Sequence, residues 1–180
     1  RAFEAFEVKS RAAEVERYAG LSVETKMGRA TAAFESRDYL GALMAFSEVK
    51  ALWPEFPELD VVRAETVFLS GAEDAAEALF QEIHARSEKK DPLAYEIFLF
   101  YGRRGRAERG LDWAGRLSRP EIRERYRTFF LCTLGRASEA VEAGKKALAL
   151  ARESFYAHAD LGWALDLSRE PTEAMEHYEA

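Results

Sequence analysis

Cysteine is nearly missing from this chain of 180 residues: Cys132 is the only one. That excludes an internal disulfide framework and any multi-cysteine zinc site. No uninterrupted apolar run approaches the roughly 20 residues that a membrane-spanning helix needs. Positive charge is in deficit, with 26 Lys and Arg against 32 Asp and Glu and a formal net charge of −6. Such a balance disfavours nucleic acid or an anionic membrane as the direct partner, because both require clustered cations. Proline is scarce, at five, and sits as punctuation: Pro54, Pro57, Pro92 and Pro120 fall between apolar segments, and Pro171 is suited to starting a helix. Alternating runs and Asn-Gly or Asp-Gly hairpins are lacking, so strands are not expected.

What remains is helical spacing. In residues 37–52 the apolar Tyr39, Leu43, Phe46, Val49 and Leu52 recur at three and four, which places them on one face of a helix. Hydrophobics at 48% and charges at 32% suit a chain that buries a core. Eleven helices are predicted: a leading one over 2–19, then 24–35 with 38–52, 58–69 with 73–86, 92–103 with 106–118, 121–133 with 137–151, and 155–167 with 171–180. Each is short enough to be marginal alone, so neighbours must hold it. Gly71, Gly105 and Gly135 close apolar stretches, where a left-handed cap costs glycine least.

The strongest signal is a repeat. Small residues in the second helix of each pair, Ala42, Ala76, Gly110, Ala140 and Ala174, stand 34, 34, 30 and 34 apart. One turn later come Phe46, Phe80, Ala114, Gly144 and Tyr178. The matching slot of the first helices holds Ala30, Ala64, Phe98, Thr128 and Gly162, with Phe98 and Thr128 out of pattern. Antiparallel helices approach closely only where a side chain is small, and a large residue one turn on fills the space beside the contact. The 30-residue step has lost about a turn near Leu117–Pro120, which predicts a short second helix in the third pair.

These residues resemble the tetratricopeptide repeat family, of bacterial type, whose unit is a 34-residue helix–turn–helix. The best match is residues 134–150, with Gly135, Ala137, Ala140 and Ala147. Residues 37–54 keep Tyr39, Ala42, Phe46 and Pro54, and residues 160–178 keep Leu161, Gly162, Ala174 and Tyr178. The resemblance implies an all-α fold, a right-handed α-solenoid of antiparallel helix pairs. It divides the chain into 1–21 (a leading helix, standing as the second helix of a preceding repeat) and five pairs over 22–55, 56–89, 90–119, 120–153 and 154–180, the last truncated.

By the same resemblance the first helices line a concave groove that takes a protein or peptide partner. Counting along them puts Met27, Thr31 and Phe34 there from the first pair, then Glu65 and Phe68, then Tyr95, Leu99 and Arg103. The fourth pair adds Arg125, Tyr126, Phe129 and Cys132, and the fifth adds Tyr156, Asp160, Trp163 and Asp166. Rings supply contact area and polar groups set register; each ring has core packing as its competing role. Trp163→Ala is expected to weaken binding while leaving stability nearly intact. From Arg103 to Arg127 nine arginines face four acids, a local +5 that leaves −11 for the remainder. That stretch is either a solvated face of helix-paired charges or a docking patch for acidic groups. Some family members clamp the C-terminal carboxylate of heat-shock chaperones. Here Arg125 fits the first cationic slot, but Phe129 and Asp160 replace expected asparagines, so that function is not carried over.

Catalysis is not expected. His84, His158 and His177 are scattered and fall in no metal-binding motif, Cys132 has no identifiable histidine partner, and no phosphate-cradling glycine loop is present. No cofactor or metal is therefore predicted. The function expected is that of a cytoplasmic protein-interaction scaffold, its uncapped ends inviting self-association. The alternative is a ligand- or partner-sensing repeat module of a larger bacterial transcription regulator.

Overall fold

The computed structural model describes residues 22–54 and 57–180. The helix expected over 2–19 lies outside them. Among the described residues there are ten helices and no strand. They are α1 (22–35), α2 (Tyr39–Leu52), α3 (Pro57–Leu69), α4 (Glu73–Arg86), α5 (Lys90–Arg103), α6 (Ala107–Ala114), α7 (Pro120–Thr133), α8 (Ala137–Leu150), α9 (Phe155–Leu167) and α10 (Pro171–Tyr178). The fold is all-α. Pro57, Pro92, Pro120 and Pro171 all lie in first turns, where a missing N–H breaks no intrahelical bond. Pro92 thus sits inside α5, two residues after Lys90, instead of marking the gap before it.

One turn geometry recurs five times. Arg37, Gly71, Gly105, Gly135 and Arg169 each follow a first helix with positive φ, of 64°, 95°, 70°, 71° and 64°. Around each, the next residue's N–H reaches back five residues: Asp38 to Ala33 at 2.9 Å, Ala72 to Val67 at 3.3 Å, Arg106 to Tyr101 at 2.9 Å, Arg136 to Leu131 at 2.9 Å and Glu170 to Leu165 at 3.0 Å. The positive-φ residue itself donates three back, as Gly135 does to Cys132 at 3.0 Å. This is a Schellman closure, and it satisfies carbonyls that the helix end would otherwise orphan. The five positions repeat the spacing of the small residues, so each turn delivers a small side chain five residues later. Ala42, Ala76, Ala140 and Ala174 are all wholly buried, as are Ala30 and Ala64 in first helices.

The chain forms two compact units, one ending at Ile83 and the other spanning His84–Ala180. In the first, Ala30, Ala42, Phe46, Val49 and Leu59 make a core from α1, α2 and α3. Lys50 Nζ, 2.9 Å from Asp60, ties α2 to α3. In the second, Leu131, Cys132, Ala140, Ala143 and Ala164 join α7, α8 and α9, and Leu161, Leu165 and Ala174 continue the packing to α10.

The third pair departs from the pattern as its sequence predicts. Helix α6 has 8 residues where α4 and α8 have 14. The short connection to α7 is pinned by Asp91 at the start of α5, whose carboxylate accepts from the Ser118 N–H at 3.0 Å and from its hydroxyl. Arg119, before Pro120, is extended as the pyrrolidine ring demands. Phe98 fills a slot that is small elsewhere, and it is completely buried against Phe130 at 5.9 Å between ring centroids. Thr128 in the equivalent slot is also buried, its hydroxyl donating to the Glu124 carbonyl at 2.8 Å.

Candidate functional site

The first helices of the second unit, α5, α7 and α9, carry a connected set of rings and charges. Tyr95 on α5 and Tyr126 on α7 meet edge to face at 5.6 Å, with the Tyr126 hydroxyl donating to that of Tyr95 at 3.0 Å. Buried Phe98 backs both rings, 4.8 Å from Tyr95 and 4.4 Å from Tyr126. Burial first, then the bond to Tyr95, pushes the Tyr126 hydroxyl up to about 12. It therefore stays a neutral donor throughout the physiological range.

Arg125 is the link to α9. Its guanidinium carbon lies 4.3 Å from the Tyr126 ring centre and 4.9 Å from that of Tyr156. Cation–π attraction to two rings holds the guanidinium, and a side-chain hydrogen bond to Tyr126 engages part of its N–H edge. Among the described residues Arg125 forms no ion pair. Asp160, one turn beyond Tyr156, is half-buried, and burial pushes its carboxyl up to about 6 against the opposing pull of Arg125. It too forms no ion pair among the described residues. An arginine and an aspartate set close enough to influence each other, yet not bonded, leave both a donor edge and an acceptor open to a third group.

Phe129 and Trp163 extend the surface, 5.8 Å apart and edge to face. Phe129 is 41% exposed, Tyr95 39% and Tyr156 63%. Trp163 is half-buried and packs on the core of Leu131, Cys132, Ala140, Ala143 and Ala164. Seven of the expected residues are thus brought together: Tyr95, Arg125, Tyr126, Phe129, Tyr156, Asp160 and Trp163.

Others go elsewhere. Phe68 is 7% exposed, so it is core and not a contact surface. Met27 and Phe34 lean onto the core of the first unit, because in α1 the face next to Ala30 is also the face that must cover Phe46 and Leu59. Cys132 is buried, and burial, with Asp160 second, pushes its thiol up to about 12, which makes it an inert packing group. Asp166 accepts from the Tyr178 hydroxyl at 2.9 Å and serves the α9–α10 hairpin. Arg103 is exposed at the end of α5 and Leu99 half-buried one turn earlier; Thr31 is exposed and Glu65 half-buried in the first unit.

The Arg-rich stretch resolves into individual roles. Arg119 pairs with Glu121 at 2.6 Å, Arg123 and Arg127 both approach Glu124, and Arg116 lies 4.1 Å from the Trp113 ring centre. These are helix-paired charges and ring stacking. Arg125 is the member that meets the aromatic face. A feature missed from sequence is the contact of His158 with His177, whose Nδ1 atoms lie 3.0 Å apart across α9 and α10. Nineteen residues separate them, and only the hairpin's closure reveals the pairing.

Among the described residues no group of three or more His, Cys, Asp or Glu could hold a metal ion, and no helix is long and apolar enough to cross a membrane. The fold and this face define an all-helical repeat protein.

Solved structures of MamA have a similar fold. One MamA structure matches at 16% identity over 89% of this chain and 90% of that chain, with a TM-score of 0.55. A second, MamA 41-end from Desulfovibrio magneticus RS-1, matches at 14% identity over 87% and 91%, also at 0.55. A third MamA structure matches at 16% over 83% and 90%, at 0.54. The likeness lies in the fold. No family model and no curated protein sequence matches the chain.

Proposed function

We propose that this is a tetratricopeptide-type interaction scaffold and that the α5–α7–α9 face of its second unit holds a segment of another protein. Five identically closed turns, three of whose four intervals equal the family's 34-residue unit, support assigning the pairs over 22–55, 56–89, 90–119, 120–153 and 154–180 as repeats. The similarity in fold to MamA agrees with a repeat scaffold.

The observation that carries the binding reading is Arg125, stacked between Tyr126 and Tyr156 beside an unbonded Asp160. Its donor edge suits a main-chain carbonyl or a carboxylate of the partner, while Asp160 accepts an N–H. The exposed rings of Tyr95, Phe129 and Tyr156 supply apolar area at low entropic cost, since each ring has only two rotatable bonds. An extended segment engaging these groups binds at about the micromolar level, because it must surrender chain entropy.

Selection of a phage-displayed library of 12-residue peptides on the full chain tests this. Enriched peptides are expected to bind at least tenfold more weakly to Arg125→Ala and to Tyr156→Ala, with helicity by circular dichroism unchanged. Peptides that bind the wild type and both variants equally would remove the face from the interaction.

A further inference from the structure

Helix α9 has a second functional side, away from Asp160. His158 Nε2 lies 3.0 Å from the carbonyl oxygen of Arg152. A carbonyl only accepts, so Nε2 carries the hydrogen, and in the neutral ring Nδ1 is then a lone pair. His177 Nδ1, 3.0 Å away, must donate to it, which leaves the lone pair of His177 on its Nε2. The two rings are therefore fixed in tautomer and held at 5.2 Å between centroids.

Both line an open cavity of about 380 Å³ between α8, α9 and α10, at the small end of the range for ligand sites. Leu148 and the fully buried Leu161 give it an apolar floor, and Lys145 and Arg152 stand on its rim. Among the described residues no acid lines it. Lys145 is 3.4 Å from Glu173, in a pair exposed on both sides, whereas Arg152 forms no ion pair among the described residues.

We propose that this cavity binds a small organic carboxylate with an apolar body, the body on Leu148 and Leu161 and the carboxylate between Arg152 and Lys145, with the two histidines beside it. Arginine matches a carboxylate with two parallel N–H donors, which a single-charged headgroup saturates. A bare phosphate would leave the apolar floor uncovered. A metal ion would meet two cationic side chains, and the Nδ1 atoms that face one another are already joined by their mutual hydrogen bond. This site is independent of the α5–α7–α9 face, so either reading stands without the other.

The test is a titration of the full chain with 3-phenylpropionate, read by imidazole ¹H–¹⁵N NMR. Saturable shifts of the His158 and His177 resonances at sub-millimolar concentration are expected. They should weaken tenfold or more in Arg152→Gln, whose exposed position leaves folding untouched, and should not appear with neutral 3-phenylpropionamide. Four results would overturn the proposal: no saturable shift; an equal response to the amide; the same response to inorganic phosphate; or undiminished binding in Arg152→Gln. Tight, saturable shifts with Zn²⁺ in place of any response to the carboxylate would assign the pair to metal instead.

Discussion

The Phe130 ring occupies the space where Gly110 would carry a β-carbon, with its Cε1 edge against that position. Gly110 stands in the slot that Ala fills in four other pairs, and Phe130 comes from the next first helix. The glycine here and the large Phe98 belong together, since one ring, Phe130, fills the space at Gly110 and packs edge to face on Phe98. Gly110→Ala is therefore expected to destabilise, although alanine is the better helix former by about 1 kcal/mol. Overpacking a filled core costs roughly 1–3 kcal/mol. A urea midpoint that falls for Gly110→Ala and recovers when Phe130→Leu is added would bear this out; a midpoint that rises would show that the ring moves aside freely.

Arg37 and Arg169 hold the left-handed position that glycine holds in the other three turns, each at φ 64°. A side chain there costs about 1–2 kcal/mol, partly offset by the entropy that glycine loses on folding, about 0.5–1 kcal/mol. Arg169→Gly should raise stability by several tenths to about 1 kcal/mol, and Gly135→Ala should lower it by a similar amount. Opposite signs in equilibrium unfolding are the expected result.

The repeat is legible because its markers are residues with few alternatives. Gly71, Gly105 and Gly135 announce their turns, and buried alanines announce close helix contacts. Arg37 and Arg169 carry no such mark: their turns follow from the spacing alone. The short α6 is readable from the missing residues near Leu117. Site residues are harder. On a first helix the face expected to line a groove adjoins the core face, so Phe68, Met27 and Phe34 count onto the surface by periodicity yet turn inward. Trp163 straddles both, and its packing on the core shared by α7, α8 and α9 means that Trp163→Ala loses about 1–3 kcal/mol of stability as well as binding, not binding alone. The His158–His177 contact depends on how α10 folds back on α9, and nothing in the spacing of the two residues marks it.

Asp91 joins the start of α5 to the α6–α7 connection through Ser118, and these bonds hold its carboxyl below the usual carboxylate range. A depressed folded value means the stabilisation is present above the unfolded carboxyl value, about 3.9, and is lost as pH falls through the lower folded one. Asp91→Ala should cost about 1 kcal/mol at pH 7, the typical net worth of a side-chain hydrogen bond. The cost should vanish in acid, and Ser118→Ala should reproduce part of it. A penalty that is the same at pH 7 and pH 3 would mean that the hydrogen bonds are not its source.

Asp160 runs in the opposite direction. Burial raises its carboxyl to about 6, so the folded state favours the protonated form. The associated stability is fully present below about pH 4 and is lost as pH rises through 6. At neutral pH the protein thus carries a half-buried carboxylate that weakens it. Each tenfold change in proton affinity is worth about 1.4 kcal/mol, and solvent on the open side of Asp160 screens part of that. Asp160→Asn should stabilise the protein at pH 7.5 by about 1–2 kcal/mol and have little effect at pH 4, measured by urea unfolding at both values. The same variant should bind a groove peptide more weakly, because the amide oxygen is a poorer acceptor than the carboxylate for a partner N–H. A gain in stability coupled to a loss in binding marks a residue whose charge is kept for the partner. If Asp160→Asn is neutral in both assays, the carboxylate has no part in recognition.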